Sequence, residues 1–244
     1  MGTLGQVLRY TARQASQKWK SVSQFGEGTS YSVVEPLATY SPWRQDAEFQ
    51  KIYGQIRTHT LVDIFRCYEI WQLVVESGKL SGDCLEVGTW RGGTGALIAT
   101  QAARLSRCET FLCDTFKGVV KTGSEDPIYV GGEHADTSVS IVQALLDRTG
   151  AKAHILEGIF PEETGHLASD RQFRFCHIDV DVYQGAKDIS QWVWPRLVSG
   201  GIVVYDDYGF LATGGVKEWV NEERTIADRI VIHNLNGHAI VVKR

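Results

Sequence analysis

Short apolar runs, each ending in glycine or an acid, alternate along this chain with segments of helical periodicity. The runs are CLEVG (84–88), TFLCD (110–114), AHILEG (153–158), FRFCHID (173–179) and GGIVVYDD (200–207). Helical patterns lie between them at about 93–105, 138–149 and 185–197, and a longer one, Leu61 to Val75, precedes the first run. Strands separated by helices join as βαβ units, so the spacing predicts a parallel sheet. Two further β-branched runs, DRIVIHN and GHAIVVKR, close the chain with only Asn234-Leu235-Asn236-Gly237 between them. That turn sequence predicts a hairpin. The fold class is therefore α/β, a mostly parallel seven-stranded sheet with a C-terminal antiparallel hairpin.

A chain of 244 residues with 43% apolar residues can bury one such core plus a small appendage. A net charge of −4 gives no bulk attraction to nucleic acid or to an anionic membrane. No apolar run approaches the ~20 residues of a membrane span. The first twenty residues carry four basic side chains but no apolar core or cleavage site of a secretory signal. Leu4, Val7, Leu8 and Thr11 fall at helical spacing, and residues 1–57 are expected to form a helical lid or oligomerisation segment ahead of a main domain at 58–244. The five cysteines (Cys67, Cys84, Cys108, Cys113, Cys176) lack zinc spacing and read as reduced, buried residues of a cytoplasmic protein.

The segment LEVGTWRGGTG (85–95) stands at a strand-to-helix junction, where open α/β sheets bind ligands. Its spacing does not suit a dinucleotide. Glu86 would repel a phosphate and suits an ammonium group instead, as in the methionine half of S-adenosylmethionine (SAM). Glu86, Gly88, Thr89, Arg91 and Gly92 are the expected contacts. Asp114, ending the second run, is placed to accept hydrogen bonds from ribose hydroxyls. Gly158, Ile159 and Phe160, ending the third, are placed to flank an adenine, with core packing an equal use for Phe160.

HIDVDVY (177–183) and YDDYG (205–209) end the next two runs. Residues i and i+2 share a strand face and neighbouring strands lie less than about 5 Å apart, so Asp179, Asp181, Asp206 and Asp207 converge. Crowded carboxylates resist ionising without a cation. A hard divalent ion resolves the conflict: Mg²⁺ first, with Mn²⁺ or Ca²⁺ suiting the same donors. Such an ion polarises an acceptor hydroxyl while an uncoordinated carboxylate removes its proton. Asp179, Asp206 and Asp207 are assigned to the metal and Asp181 to the base; spacing alone allows Asp179 and Asp181 to exchange roles.

LEVGTWRGGTGALIA, the acid of CDTFKG, HIDVDVY and GGIVVYDDYGF together resemble the macrocin O-methyltransferase family over residues 57–223. The resemblance implies a Rossmann-like class I methyltransferase fold, SAM as donor, Mg²⁺ dependence, a homo-oligomer (dimer or tetramer) and a sugar hydroxyl as acceptor. It also implies that the first acid of the D-x-D pair, Asp179, binds metal and that the second, Asp181, is the base; Asp179 lies close to the donor as well. Val180 and Val182 depart from the family pattern, and the loop KGVVKTGSEDPIYVGGEHAD (117–136) is this chain's own. A catechol-like phenol as acceptor, or a non-catalytic SAM-binding subunit, are the competing readings.

His134 in that loop and Tyr208 after the acidic pair are candidate acceptor contacts. His59 and Thr60 are placed to reach the methionine end of the donor, and His177 to line the site or pack in the core. Tyr40 and Trp43 offer stacking surfaces for a sugar ring, with packing the plain alternative.

Overall fold

The structure is a computed structural model that describes residues 21–22, 31–32, 34, 38–105 and 108–244. The chain divides into two compact units, 1–41 and 42–244. In the first unit Ser21–Val22 pairs antiparallel with Tyr31–Ser32. The helical pattern of Leu4 to Thr11, and the lid expected there, lie outside the described residues.

The second unit opens with helix α1 (Ala47–Ile56), whose first turn is capped by Asp46 accepting from the Phe49 N–H at 2.9 Å. This helix, assigned from sequence to the N-terminal segment, belongs to the main unit and buries Phe49, Ile52 and Ile56 there. Helix α2 (Ile64–Ser77) starts three residues later than Leu61 because Asp63 caps it, accepting from Phe65 and Arg66 N–H. Then follow β1 (Asp83–Val87), α3 (Gly93–Leu105), β2 (Thr110–Asp114), α4 (Val139–Thr149), β3 (His154–Glu157) and β4 (Phe173–Ile178). The chain finishes with α5 (Tyr183–Val193), β5 (Leu197–Tyr205), α6 (Gly214–Glu223), β6 (Arg229–His233) and β7 (Ala239–Lys243). The sequence pattern gave no sign of α6, which is short and opens on two glycines.

The seven strands lie in the order β3-β2-β1-β4-β5-β7-β6. The first five are mutually parallel, and β7 runs antiparallel to both β5 and β6. The expected class I sheet is present, hairpin included. Strand alternation divides the apolar side chains between two faces. Leu85, Val87, Phe111, Cys113 and Ile178 meet α5 and α6 residues such as Ile189 and Trp219 on one face. Cys84, Leu112, Phe175, Ile202 and Val204 meet residues of α1 to α4 on the other.

The strand pairing continues past the strands themselves, and this places the site. Beyond Val87, Ile178 and Tyr205, the Asp179 N–H donates to Val87 O at 2.9 Å and the Asp206 N–H to Ile178 O at 3.0 Å. Gly88 makes room for this convergence. It has φ +91°, and a Cβ built there would lie 1.6 Å from the Asp179 carbonyl oxygen. Glycine is required at this position by the approach of two strand ends. Replacing it should therefore cost backbone strain plus overpacking. We expect Gly88→Ala to destabilise the protein by roughly 2–5 kcal/mol, read from urea unfolding of the variant against the parent.

Candidate active site

A cavity of about 350 Å³ opens at the carboxyl ends of the strands. Its wall contains Gly88, Thr89, Asp114, Gly158, Ile159, Phe160, Asp179, Asp181, Asp206, Asp207 and His134, so most of the residues singled out from sequence share one space. His59 and Thr60 also line it.

The side of the cavity around Asp114 is built from loops. Asp114 ends β2, and its two carboxylate oxygens accept the N–H groups of Trp90 and Phe116, each at 2.7 Å. Burial raises its pKa, and these N–H bonds work against that rise. Phe160 serves the wall and the core together, edge-on to Trp192 with ring centroids 4.7 Å apart.

Three expected contacts of the donor, and one of the acceptor, lie elsewhere. Glu86 is fully buried and outside the cavity wall. Alternation along β1 turns it to the face opposite Leu85 and Val87, where its Oε1 meets His177 Nδ1 at 3.0 Å and its Oε2 lies below Gly95 of α3. Arg91 is spent on Asp136 and on the ring of Trp90, 4.7 Å away. Gly92, with φ +84°, sits beneath Val142. Tyr208 is turned away, its hydroxyl donating to Asn221 Oδ1 at 2.9 Å and its ring edge-on to His233. Trp43 packs edge-on to Phe65 and Tyr68, and Tyr40, in the first unit, is 81% exposed.

The four aspartates do converge. One carboxylate oxygen from each of Asp179, Asp206 and Asp207 falls within 4.8 Å of the others. Asp181 joins them through its backbone, its N–H donating to Asp207 Oδ2 at 3.0 Å. Asp181 has φ +66°, an unusual conformation for a residue with a side chain.

The aspartates are electrostatically unequal. Burial and the neighbouring carboxylates push Asp179 and Asp207 well above the ordinary carboxylate range. Burial raises Asp181 as well, against a lowering hydrogen bond from Tyr129. Asp206 goes the other way. Burial acts to raise it, but His177, His238 and Arg66 together hold it far below its usual value. His238 Nε2 lies 2.8 Å from Asp206 Oδ1 and His177 Nε2 lies 3.6 Å from it, while Arg66 Nη1 donates to Oδ2.

Apart from His177, this support for Asp206 was not visible in the sequence. Arg66 is 7% exposed, fixed at its other end by Asp63 (Nε to Oδ2, 2.8 Å), and its guanidinium stacks 4.7 Å from the Phe210 ring centroid. His238 immediately precedes β7, which lies beside β5, and its Nδ1 meets Glu69 Oε2 of α2 at 2.6 Å. His177, left open between site and core, is fully buried between Glu86 and Asp206, and these two raise its pKa to about 9 against the opposing effect of burial. Tyr129 is a further cavity residue that sequence reasoning did not single out, and its hydroxyl donates to Asp181 Oδ1 at 2.7 Å. Arg66, His238 and Tyr129 belong to segments remote from the aspartates in sequence, and no local pattern marks them.

The described residues contain no helix long and apolar enough to cross a membrane.

Comparison with known proteins agrees with this architecture. The profile of the macrocin O-methyltransferase (TylF) family matches residues 57–235. The mycinamicin III 3''-O-methyltransferase of Micromonospora griseorubida is 27% identical over 190 residues, covering 71% of this chain and 74% of that protein. The 8-demethyl-8-(2,3-dimethoxy-alpha-L-rhamnosyl)-tetracenomycin-C 4'-O-methyltransferase of Streptomyces olivaceus is 29% identical over 170 residues, 62% of each chain. Among solved structures, the O-methyltransferase NovP superposes with a TM-score of 0.64 at 24% identity, covering 76% of this chain and 82% of its own. The chain thus belongs to the macrocin O-methyltransferase family, and is a SAM-dependent O-methyltransferase built on the class I fold.

Proposed function

We propose that this enzyme transfers the methyl group of SAM to a hydroxyl of a sugar, with Mg²⁺ bound by Asp179, Asp206 and Asp207 and with Asp181 as general base. The observation that carries the reading is the convergence of three carboxylates within 4.8 Å, with Asp181 bonded to one of them.

The donor set fits a hard cation. All three groups offer oxygen, and two of them are held above their ordinary pKa by burial and by one another. Arg66 and His238 do not consume Asp206, because a carboxylate has about four lone-pair directions. When bound, Mg²⁺ supplies positive charge that stabilises an oxyanion developing on the acceptor. When bound, SAM supplies a methyl group on a sulfonium, ready for in-line displacement.

The chain's own residues then have separable tasks. Asp114 accepts the ribose hydroxyls, while Gly158, Ile159 and Phe160 flank the base. Asp181 takes the acceptor proton as the oxygen–carbon bond forms. Thr89, His59 and Thr60 close the wall near the methionine end, and His134 faces the acceptor. The sugar follows from what the relatives' names describe, a 3''-O-methyltransferase of a mycinamicin and a 4'-O-methyltransferase of a rhamnosyl-tetracenomycin. A dimer or tetramer, as the family resemblance implies, completes the proposal.

Three outcomes test it. EDTA should abolish turnover and added Mg²⁺ restore it; full activity in metal-stripped protein would overturn the metal assignment. Asp114→Ala should weaken SAM binding roughly 10-fold to 100-fold, the loss of one or two hydrogen bonds to a charged acceptor, measured by calorimetry. Against a panel of p-nitrophenyl glycosides and catechols, mass spectrometry should find the added methyl on a sugar oxygen. Methylation confined to the catechols would replace the sugar reading.

A further inference from the structure

The chain-specific connection between β2 and α4 is an ordered loop. Thr115 Oγ1 donates to Gly118 O at 3.0 Å, and the Val119 N–H donates to Glu133 O at 2.8 Å. The Glu133 carboxylate accepts from the N–H groups of Val130 (2.8 Å) and Gly131 (2.9 Å). Asp126 accepts from the N–H groups of Gly123 (3.1 Å) and Tyr183 (2.9 Å), which fastens the loop to the first turn of α5. Ile128 and Val130 are exposed, while Tyr129 between them is half-buried in the cavity wall. The ring of His134 stands 6.3 Å from the rings of both Tyr129 and Trp90, closing that side of the cavity.

We propose that Tyr129 is the positioning residue of the general base, fixing the Asp181 carboxylate by a hydrogen bond to Oδ1 so that Oδ2 receives the acceptor proton. The proposal rests on the reading of Asp181 as the base. Asp181 is restrained in three ways: by its left-handed backbone, by its N–H bond to Asp207 Oδ2, and by the Tyr129 hydroxyl at 2.7 Å. The first two fix the backbone; only the third acts on the carboxylate itself. In the step, the acceptor O–H bond breaks and its proton passes to Asp181 Oδ2. The oxygen–methyl bond forms, and the methyl–sulfur bond breaks with its electron pair left on sulfur. The phenol keeps its proton throughout, since burial and the adjacent Asp181 both push its pKa upward.

A tyrosine that only fastened the loop would change acceptor binding, whereas one that aims the base changes the rate of the bound complex. The test compares Tyr129→Phe, Asp181→Asn and the double variant, using the glycoside of the panel that is methylated fastest. Tyr129→Phe should lower kcat roughly 10-fold to 100-fold while KM for SAM moves less than about two-fold, because misaiming a reacting group costs rate in the bound state. The double variant should be no slower than Asp181→Asn alone, as expected of two residues acting as a unit. SAM binding by calorimetry verifies that each variant is folded. An unchanged kcat with a raised acceptor KM in Tyr129→Phe, or rate losses that multiply in the double variant, would overturn the proposal. Full activity in Asp181→Asn would instead remove the base assignment on which it depends.

Discussion

Four carboxylates share one edge of the sheet, and their mutual repulsion is the constraint that the surrounding structure answers. The backbone enforces the crowding: pairing carried one residue past β1, β4 and β5 brings Asp179 and Asp206 into register, and Gly88 lets the ends meet. Side chains of that charge, buried this far, are costly unless positive charge stands near. The protein supplies some of it from its own side chains.

The supplied charge is directed at a single member. Asp206 takes Arg66 on one oxygen and His238 on the other, each held from behind by an acid, Asp63 and Glu69 respectively. Asp206 is thereby kept ionised, whereas Asp179 and Asp207 are raised by burial and by their neighbours. The cluster is thus asymmetric: one carboxylate is paired with basic side chains, and two are raised by burial and by one another. The division also ties the site to α2 and to the C-terminal hairpin, since Glu69 additionally accepts from Asn234 and Asn236 of the turn.

Much of this was legible in the sequence, and for definite reasons. Strand periodicity together with terminal acids placed Asp114, Asp179, Asp206 and Asp207 at one edge, because parallel strands end on the same side of the sheet. Glu86 suits an ammonium by its chemistry, but the two-residue alternation of β1 turns it beneath α3 to His177 and away from the cavity wall. Tyr208 follows the acidic pair in sequence, but the chain turns after Asp207 and takes its hydroxyl to Asn221 and its ring to His233.

Local periodicity and the residues at strand ends are enough to specify the sheet, the hairpin, the class of ligand loop and the aspartate quartet. Which aspartate is neutralised, by what, and which side chain reaches the proposed base follow from the folded chain alone. Arg66 comes from a helix before β1, His238 from the turn that leads into β7 and Tyr129 from a loop without period. Their meeting depends on strand order and loop path, and neither leaves a signal in the spacing of residues along the chain.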